Sequence, residues 1–214
     1  MTGFNPKNFD PKNSKAPTYA KKPPTKEEHF RMFRDRLLED LQTDAYRKGD
    51  YTLSSGKKTN HYVNCKPVVL TGQGSILVGT LLLDLVEDET LAVAGLTLGA
   101  DPLVTSVSMT SWLDAQRRTK LDALIIRKEP KDHGTTSQIE GRLPIKGCKI
   151  CVLEDVVTTG ESAIKVVNVL REAGYKVEQV ISIVDRQEND EVDDLFEKEN
   201  IEFVSLFTLD DISY

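Results

Sequence analysis

Two hydrophobic periods alternate along most of this chain. Short unbroken apolar runs, such as Ile150-Cys151-Val152-Leu153, are followed by segments whose apolar residues return every three or four positions, such as Ala163, Ile164, Val167 and Leu170. The unbroken runs suit strands buried on both faces, and the spaced segments suit amphipathic helices. On this reading helices are predicted over 73–87, 101–118, 160–173 and 190–199, and strands over 90–96, 121–127, 149–154, 177–184 and 201–207. Strand and helix in alternation predict an α/β fold with a central, mostly parallel sheet and helices on both faces. Ligands of such sheets bind beyond the carboxyl ends of the strands.

Three stretches break the rhythm. Residues 1–26 hold six lysines and five prolines without apolar periodicity, and a disordered, solubilising tail is expected. Phe30, Phe33, Leu37, Leu38 and Leu41 then predict a helix over 27–46. After it, two strand-like runs within 51–64 flank a turn at Ser55-Gly56-Lys57, which predicts a hairpin. From 129 to 147 no apolar period appears, and a loop of that length inside a domain is usually functional or mobile.

Composition narrows the classes. A chain of 214 residues with 39% apolar content can form one α/β domain with a real core. There is no apolar run long enough to cross a membrane, and no apolar segment of a secretory signal near the N-terminus. A net charge of −6 argues against nucleic-acid binding over the whole surface. Three cysteines make no disulfide framework, so a cytoplasmic protein is expected. Cys148 and Cys151 spell C-x-x-C, but on a strand residues three apart face opposite sides, so they read as apolar filler. His29 and His61 read as structural or exposed. Met109 and Trp112, inside the 101–118 helix, are expected in the core.

Candidate chemistry concentrates in residues 150–162, Ile-Cys-Val-Leu-Glu-Asp-Val-Val-Thr-Thr-Gly-Glu-Ser. A buried strand is expected to end in Glu154 and Asp155, and a small-hydroxyl turn then opens a helix. Such a turn offers backbone N–H groups and the positive end of a helix dipole to a phosphate. Carboxylates beside it suit sugar hydroxyls, so the pair implies a cradle for ribose 5-phosphate. The same order of elements also occurs in α/β proteins without a ligand. A second cluster, Arg127-Lys128-Glu129-Pro130-Lys131-Asp132-His133-Gly134, brings four potentially cationic groups to a strand end. Left to itself it would be a solvated charged loop. Beside a phosphate cradle it could neutralise a departing pyrophosphate, with Gly134 and Gly141 as the ends of a lid. Gly95-Leu-Thr-Leu-Gly-Ala-Asp-Pro also follows a strand and opens a helix, with Asp101-Pro102 at its start.

Residues 150–162 closely resemble the phosphoribosyl-pyrophosphate (PRPP) signature of type I phosphoribosyltransferases. Together with 51–64, the Arg-Lys…Lys-Asp-His-Gly loop and Asp185-Arg186, the chain after residue 26 resembles the orotate phosphoribosyltransferase family. The resemblance implies the type I phosphoribosyltransferase fold over 27–214, with a small N-terminal hood (27–70) on a core (71–214). It implies transfer of ribose 5-phosphate from PRPP to N1 of orotate, giving orotidine 5′-monophosphate and pyrophosphate in pyrimidine biosynthesis. Magnesium would accompany PRPP, without a protein metal site, and the enzyme would be a homodimer whose loop reaches the neighbouring subunit's site.

By the same resemblance, Thr158, Thr159, Gly160, Glu161 and Ser162 would hold the 5-phosphate, next to Val156 and Val157. Glu154 and Asp155 would take the ribose hydroxyls. Arg127, Lys128, Lys131 and His133 would bind pyrophosphate, and Lys131, His133 and Asp155 would be catalytic. Arg186 would pair with the orotate carboxylate, Thr158 would touch the base, and Lys57 with the backbone near His61-Tyr62 would line its edge. The chain departs from the family pattern at Ser54, where some members have lysine, at His61-Tyr62, where two aromatics are usual, and at Asn189-Asp190, where Gly-Gly is usual. A purine or uracil phosphoribosyltransferase is the alternative enzyme. A PRPP-sensing regulator is the alternative of another class, usually carrying a DNA-binding module for which the tail is too short.

Overall fold

The computed structural model describes residues 25–52, 58–130, 138–186 and 191–214. Helix α1 (Lys26–Asp40) starts on a reciprocal cap: the Thr25 hydroxyl accepts from the Glu28 N–H, and the Glu28 carboxylate accepts from the Thr25 N–H. A single wide turn, Leu41–Ala45, ends it and releases the chain into strand β1 (Tyr46–Thr52). β1 pairs antiparallel with β2 (Lys58–Val63), Tyr46 opposite Val63, as the hairpin pattern predicts. The expected turn at Ser55-Gly56-Lys57 lies outside the described residues, as do Ser54 and the tail through residue 24.

The chain then forms α2 (Lys66–Val69), α3 (Gly72–Leu85), β3 (Thr90–Leu96), α4 (Asp101–Leu113) and β4 (Asp122–Ile126). It continues through β5 (Ile139–Glu140), β6 (Lys149–Val157), α5 (Glu161–Glu172), β7 (Lys176–Asp185), α6 (Glu191–Lys198), β8 (Glu202–Thr208) and α7 (Leu209–Ile212). Six strands make the main sheet in the order β5-β4-β3-β6-β7-β8, parallel except for β5. Leu37, Leu81, Leu103, Leu153 and Ile181 fill one core cluster under α1 to α4. Ile150, Val152, Val166, Leu170 and Phe196 fill the other, under α5 and α6. Neighbours along β6 thus fall on opposite sides, which is why its apolar run is unbroken. Free Cys151 packs in the first cluster and free Cys148 against the second.

From β3 the chain moves outward to β4 and β5, then returns to the other side of β3 to lay down β6, β7 and β8. The topological switch point therefore lies between β3 and β6, where an open α/β sheet leaves a crevice at its carboxyl edge.

Several expectations need correction. β6 does not stop at the acids but runs on to Val157. The loop after β4 holds a short strand, β5, where Ile139 pairs with Ile126 and packs on the second cluster. α4 stops at Leu113, because Asp114 turns back to accept from the Gln116 N–H, and because the buried Arg117 guanidinium donates to the carbonyls of Val86 and Glu87. Met109 and Trp112 are not in the core: they are 61% and 66% exposed. α4 mixes apolar and small polar residues around its girth and buries the face of Leu103, Val104 and Val107, which leaves Met109, Trp112 and Leu113 outside. No helix among the described residues is long and apolar enough to cross a membrane.

Candidate active site

The switch point is built by an unequal pair of neighbours. β3 follows β6 only as far as Ala94 opposite Val152, whereas β7 accompanies it to Asp185 opposite Val157. Glu154 and Asp155 stand on the stretch that β3 has abandoned. The β3–α4 loop crosses in front of them, tied down by Thr97 N–H to the Ile126 carbonyl and by the Thr97 hydroxyl to Asp101. This loop passes so close that a Cβ built on Gly99 would stand 2.7 Å from Asp155 Oδ1, so glycine is the residue that leaves the carboxylate its space.

The two acids differ in surroundings. Asp155, its side chain 14% exposed, accepts from its own Val156 N–H on Oδ1 (3.1 Å) and meets Lys66 Nζ on Oδ2 (3.4 Å). Glu154 is buried, and its Oε2 finds no hydrogen-bond donor among the described residues. Burial, then the charge of Asp155, pushes the Glu154 carboxyl up to about 8, while Lys66 acts in the opposite direction.

Past Val157, held by Arg186 N–H on its carbonyl, the chain turns through Thr158, Thr159 and Gly160 into α5. Gly160 sits at φ 76°, a left-handed conformation that a side chain would strain. Among the described residues no side chain caps α5, and the first-turn N–H groups of a twelve-residue helix suit an anion. Thr159, Glu161 and Ser162 are exposed at that end, while Val157 is buried in the second cluster and Val156 packs against the first.

At the end of β4, Arg127 and Lys128 are exposed. Arg127 N–H donates to the Gln138 carbonyl (2.8 Å), and Lys165 Nζ on α5 donates to the Lys128 carbonyl (2.7 Å), so the base of the cationic loop is fastened to the phosphate-turn helix. Lys131 and His133 lie outside the described residues, as do Lys57 and Asn189-Asp190. Arg186, buried at the end of β7, donates to Thr59 Oγ1 (3.1 Å) and the His61 carbonyl (3.2 Å), which ties the hairpin to the sheet's carboxyl edge. His61 Nδ1 shares a 2.8 Å hydrogen bond with the Tyr46 hydroxyl, and Tyr62 stacks on Tyr51. Among the described residues no three His, Cys, Asp or Glu side chains cluster tightly enough to hold a metal. Sequence reasoning missed Lys66 and Lys165, which carry no motif and reach the acid and the loop only through packing. Gly99 lies in the Gly95–Pro102 stretch, whose glycines suit close backbone approach.

Paired acids on the central strand, an uncapped helix start beside them and a cationic loop base at the next strand end define a type I phosphoribosyltransferase. No protein-family model matches the chain. It is 51% identical over 186 residues to the orotate phosphoribosyltransferase of Thermosynechococcus vestitus, covering 87% of this chain and 96% of that one. The Mycobacterium tuberculosis orotate phosphoribosyltransferase crystallised with Fe(III) dicitrate superposes with a TM-score of 0.70 at 33% identity, covering 84% of this chain and 98% of that one. The crystal structure of the same enzyme in complex with PRPP matches with a TM-score of 0.67 at 31% identity over 84% and 98% of the two chains. The chain belongs to the orotate phosphoribosyltransferase family. It is an enzyme that transfers ribose 5-phosphate from PRPP to orotate, giving orotidine 5′-monophosphate in pyrimidine biosynthesis.

The raised Glu154 carboxyl makes stability depend on pH. Below the ordinary value of 4.5 it is protonated folded or unfolded. Between 4.5 and about 8 only the folded chain keeps the proton, so the stabilisation is complete below 4.5 and lost as pH rises to 8. The loss is at most about 1.4 kcal/mol per pH unit. Glu154→Gln lacks this dependence. The stability of the native chain relative to the variant, measured by urea unfolding, is expected to fall steadily from pH 5 to 8. A pH-independent difference would remove the buried-proton assignment.

Proposed function

We propose that the reaction runs on a PRPP molecule seated across the β6–α5 turn, with this chain supplying position and charge rather than a nucleophile. The observation that carries this reading is the juxtaposition of Glu154 and Asp155 with the uncapped start of α5. The backbone N–H groups of Thr158, Thr159, Gly160, Glu161 and Ser162 hold the 5-phosphate, with Val156 and Val157 completing the contact. Asp155 accepts from the ribose hydroxyls, and Glu154 supports it from the interior. Cleavage of the bond from C1 to pyrophosphate leaves positive charge on the ribose ring, which the Asp155 carboxylate favours. Arg127, Lys128, Lys131 and His133 answer the charge gathering on the departing pyrophosphate. N1 of orotate attacks C1, the base being held by Arg186, whose planar guanidinium suits a carboxylate, and by Thr158.

Magnesium would enter with PRPP and would neutralise phosphate charge. The hairpin acts as a hood (27–70) over a core (71–214). Three free cysteines suit a cytoplasmic enzyme. The exposed apolar face of Leu98, Met109, Trp112 and Leu113 supports a homodimer.

A turnover assay following orotate absorbance with PRPP and magnesium tests the roles. Lys131→Ala is expected to lower kcat by about 10²–10³, as for one lost donor to a developing anion. Asp155→Asn is expected to lower kcat/KM for PRPP on the same scale. Near-normal turnover in either variant would contradict the corresponding role. In sedimentation, the native chain is expected to run as a dimer and Trp112→Glu as a monomer; two identical profiles would rule out α4 as the interface.

A further inference from the structure

The wall of the site facing Asp155 is made by α2, an element with no motif. Its backbone is fixed: Val68 and Val69 are buried in the first cluster, and the Asn64 side chain accepts from the Lys66 N–H (3.2 Å). Buried Cys65, just before α2, approaches the Asp155 carbonyl through Sγ (3.8 Å). From this anchored position Lys66 extends an ammonium to 3.4 Å from Asp155 Oδ2, with its own side chain 42% exposed and that of Asp155 14% exposed. Oδ1 is already engaged by the Val156 N–H and faced by Gly99. One oxygen is thus set by the strand's own backbone and the other by a cation from the opposite wall.

An exposed ion pair of this length would contribute little. This pair differs because one partner is largely buried beside a second acid with an unpaired oxygen. The groups facing the acids can be enumerated. α2 brings Cys65 and Lys66, the β3–α4 loop brings uncharged Gly99, and β7 brings Ser182 opposite Glu154 in register. Asp101, at the start of α4, is occupied by the Thr97 hydroxyl through Oδ2. Among the described residues, Lys66 is the cation that answers the carboxylate pair.

We propose that Lys66 is a positioning residue for this reaction: its ammonium holds the Asp155 carboxylate in the orientation that receives the ribose hydroxyls of PRPP and offsets the negative charge of Asp155 beside Glu154. The proposal rests on the reading that Asp155 takes the ribose. Lys66 acts through Asp155, so its removal weakens PRPP and leaves orotate alone. It also leaves Glu154 facing Asp155 without an opposing charge, which moves the Glu154 titration to higher pH.

Steady-state kinetics on Lys66→Met, Lys66→Gln, Lys66→Arg, Asp155→Asn and the double variant Lys66→Met/Asp155→Asn test this. Lys66→Met and Lys66→Gln are expected to lose about tenfold in kcat/KM for PRPP with KM for orotate unchanged. Lys66→Arg should recover most of the loss, the double variant should be no worse than Asp155→Asn, and the alkaline inflection in kcat/KM for PRPP should move upward in Lys66→Met. Unchanged PRPP kinetics in both neutral variants, an equal loss for both substrates, or losses that add with Asp155→Asn would overturn the proposal. Failure of both neutral variants to fold would also overturn it, by making Lys66 structural. If Asp155→Asn itself left PRPP kinetics intact, the ribose reading would fail rather than the role of Lys66.

Discussion

Two carboxyl groups on consecutive residues of a central strand are costly to keep near one another out of water, and the architecture around the switch point follows from how that cost is met. β3 ends early, so this stretch of β6 stays paired with β7 on one side and opens to a crevice on the other. Gly99 leaves the crevice open on one side, and Lys66 answers the charge from the other. What remains uncompensated, the buried Glu154 oxygen, is met by a proton, which is why burial moves that group so far from the ordinary carboxylate range.

The same crevice gathers its other parts by short covalent routes. β6 runs straight from the acids into Thr158 and the uncapped start of α5, so sugar and phosphate contacts are separated by a few residues of one rigid strand and turn. Lys165 on α5 fastens the base of the cationic loop, and Arg186 at the end of β7 fastens the hairpin. Segments far apart in sequence are thereby referred to one element, β6, which is buried on both faces. A site meant to stabilise charge rather than to supply a nucleophile gains most from such preorganisation.

Much of this was legible in the chain. The unbroken run 150–153 announced a strand buried on both sides, and Ala163, Ile164, Val167 and Leu170 announced the helix over it. The 150–162 stretch pointed to a type I phosphoribosyltransferase, and the Arg-Lys…Lys-Asp-His-Gly loop, with 51–64 and Asp185-Arg186, to the orotate family. What escaped was of two kinds. Where apolar and small polar residues are mixed around a helix, periodicity does not say which face turns inward: Met109 and Trp112 of α4 read as core and stand in solvent, while Ser106 and Ser111 are buried. Where a role comes only from tertiary neighbours, no local pattern exists: Lys66 opens a four-residue helix and matters because of the carboxylate it faces. The extension of β6 past its acids belongs to the second kind, since it depends on β7 continuing alongside.

The most direct measurement is a crystal structure of this chain with intact PRPP. The 5-phosphate is expected within hydrogen-bond distance of the backbone N–H groups of 158–162, with the ribose hydroxyls on Asp155. A phosphate bound elsewhere, or a ribose turned away from β6, would contradict the seat described here and the distribution of charge built on it.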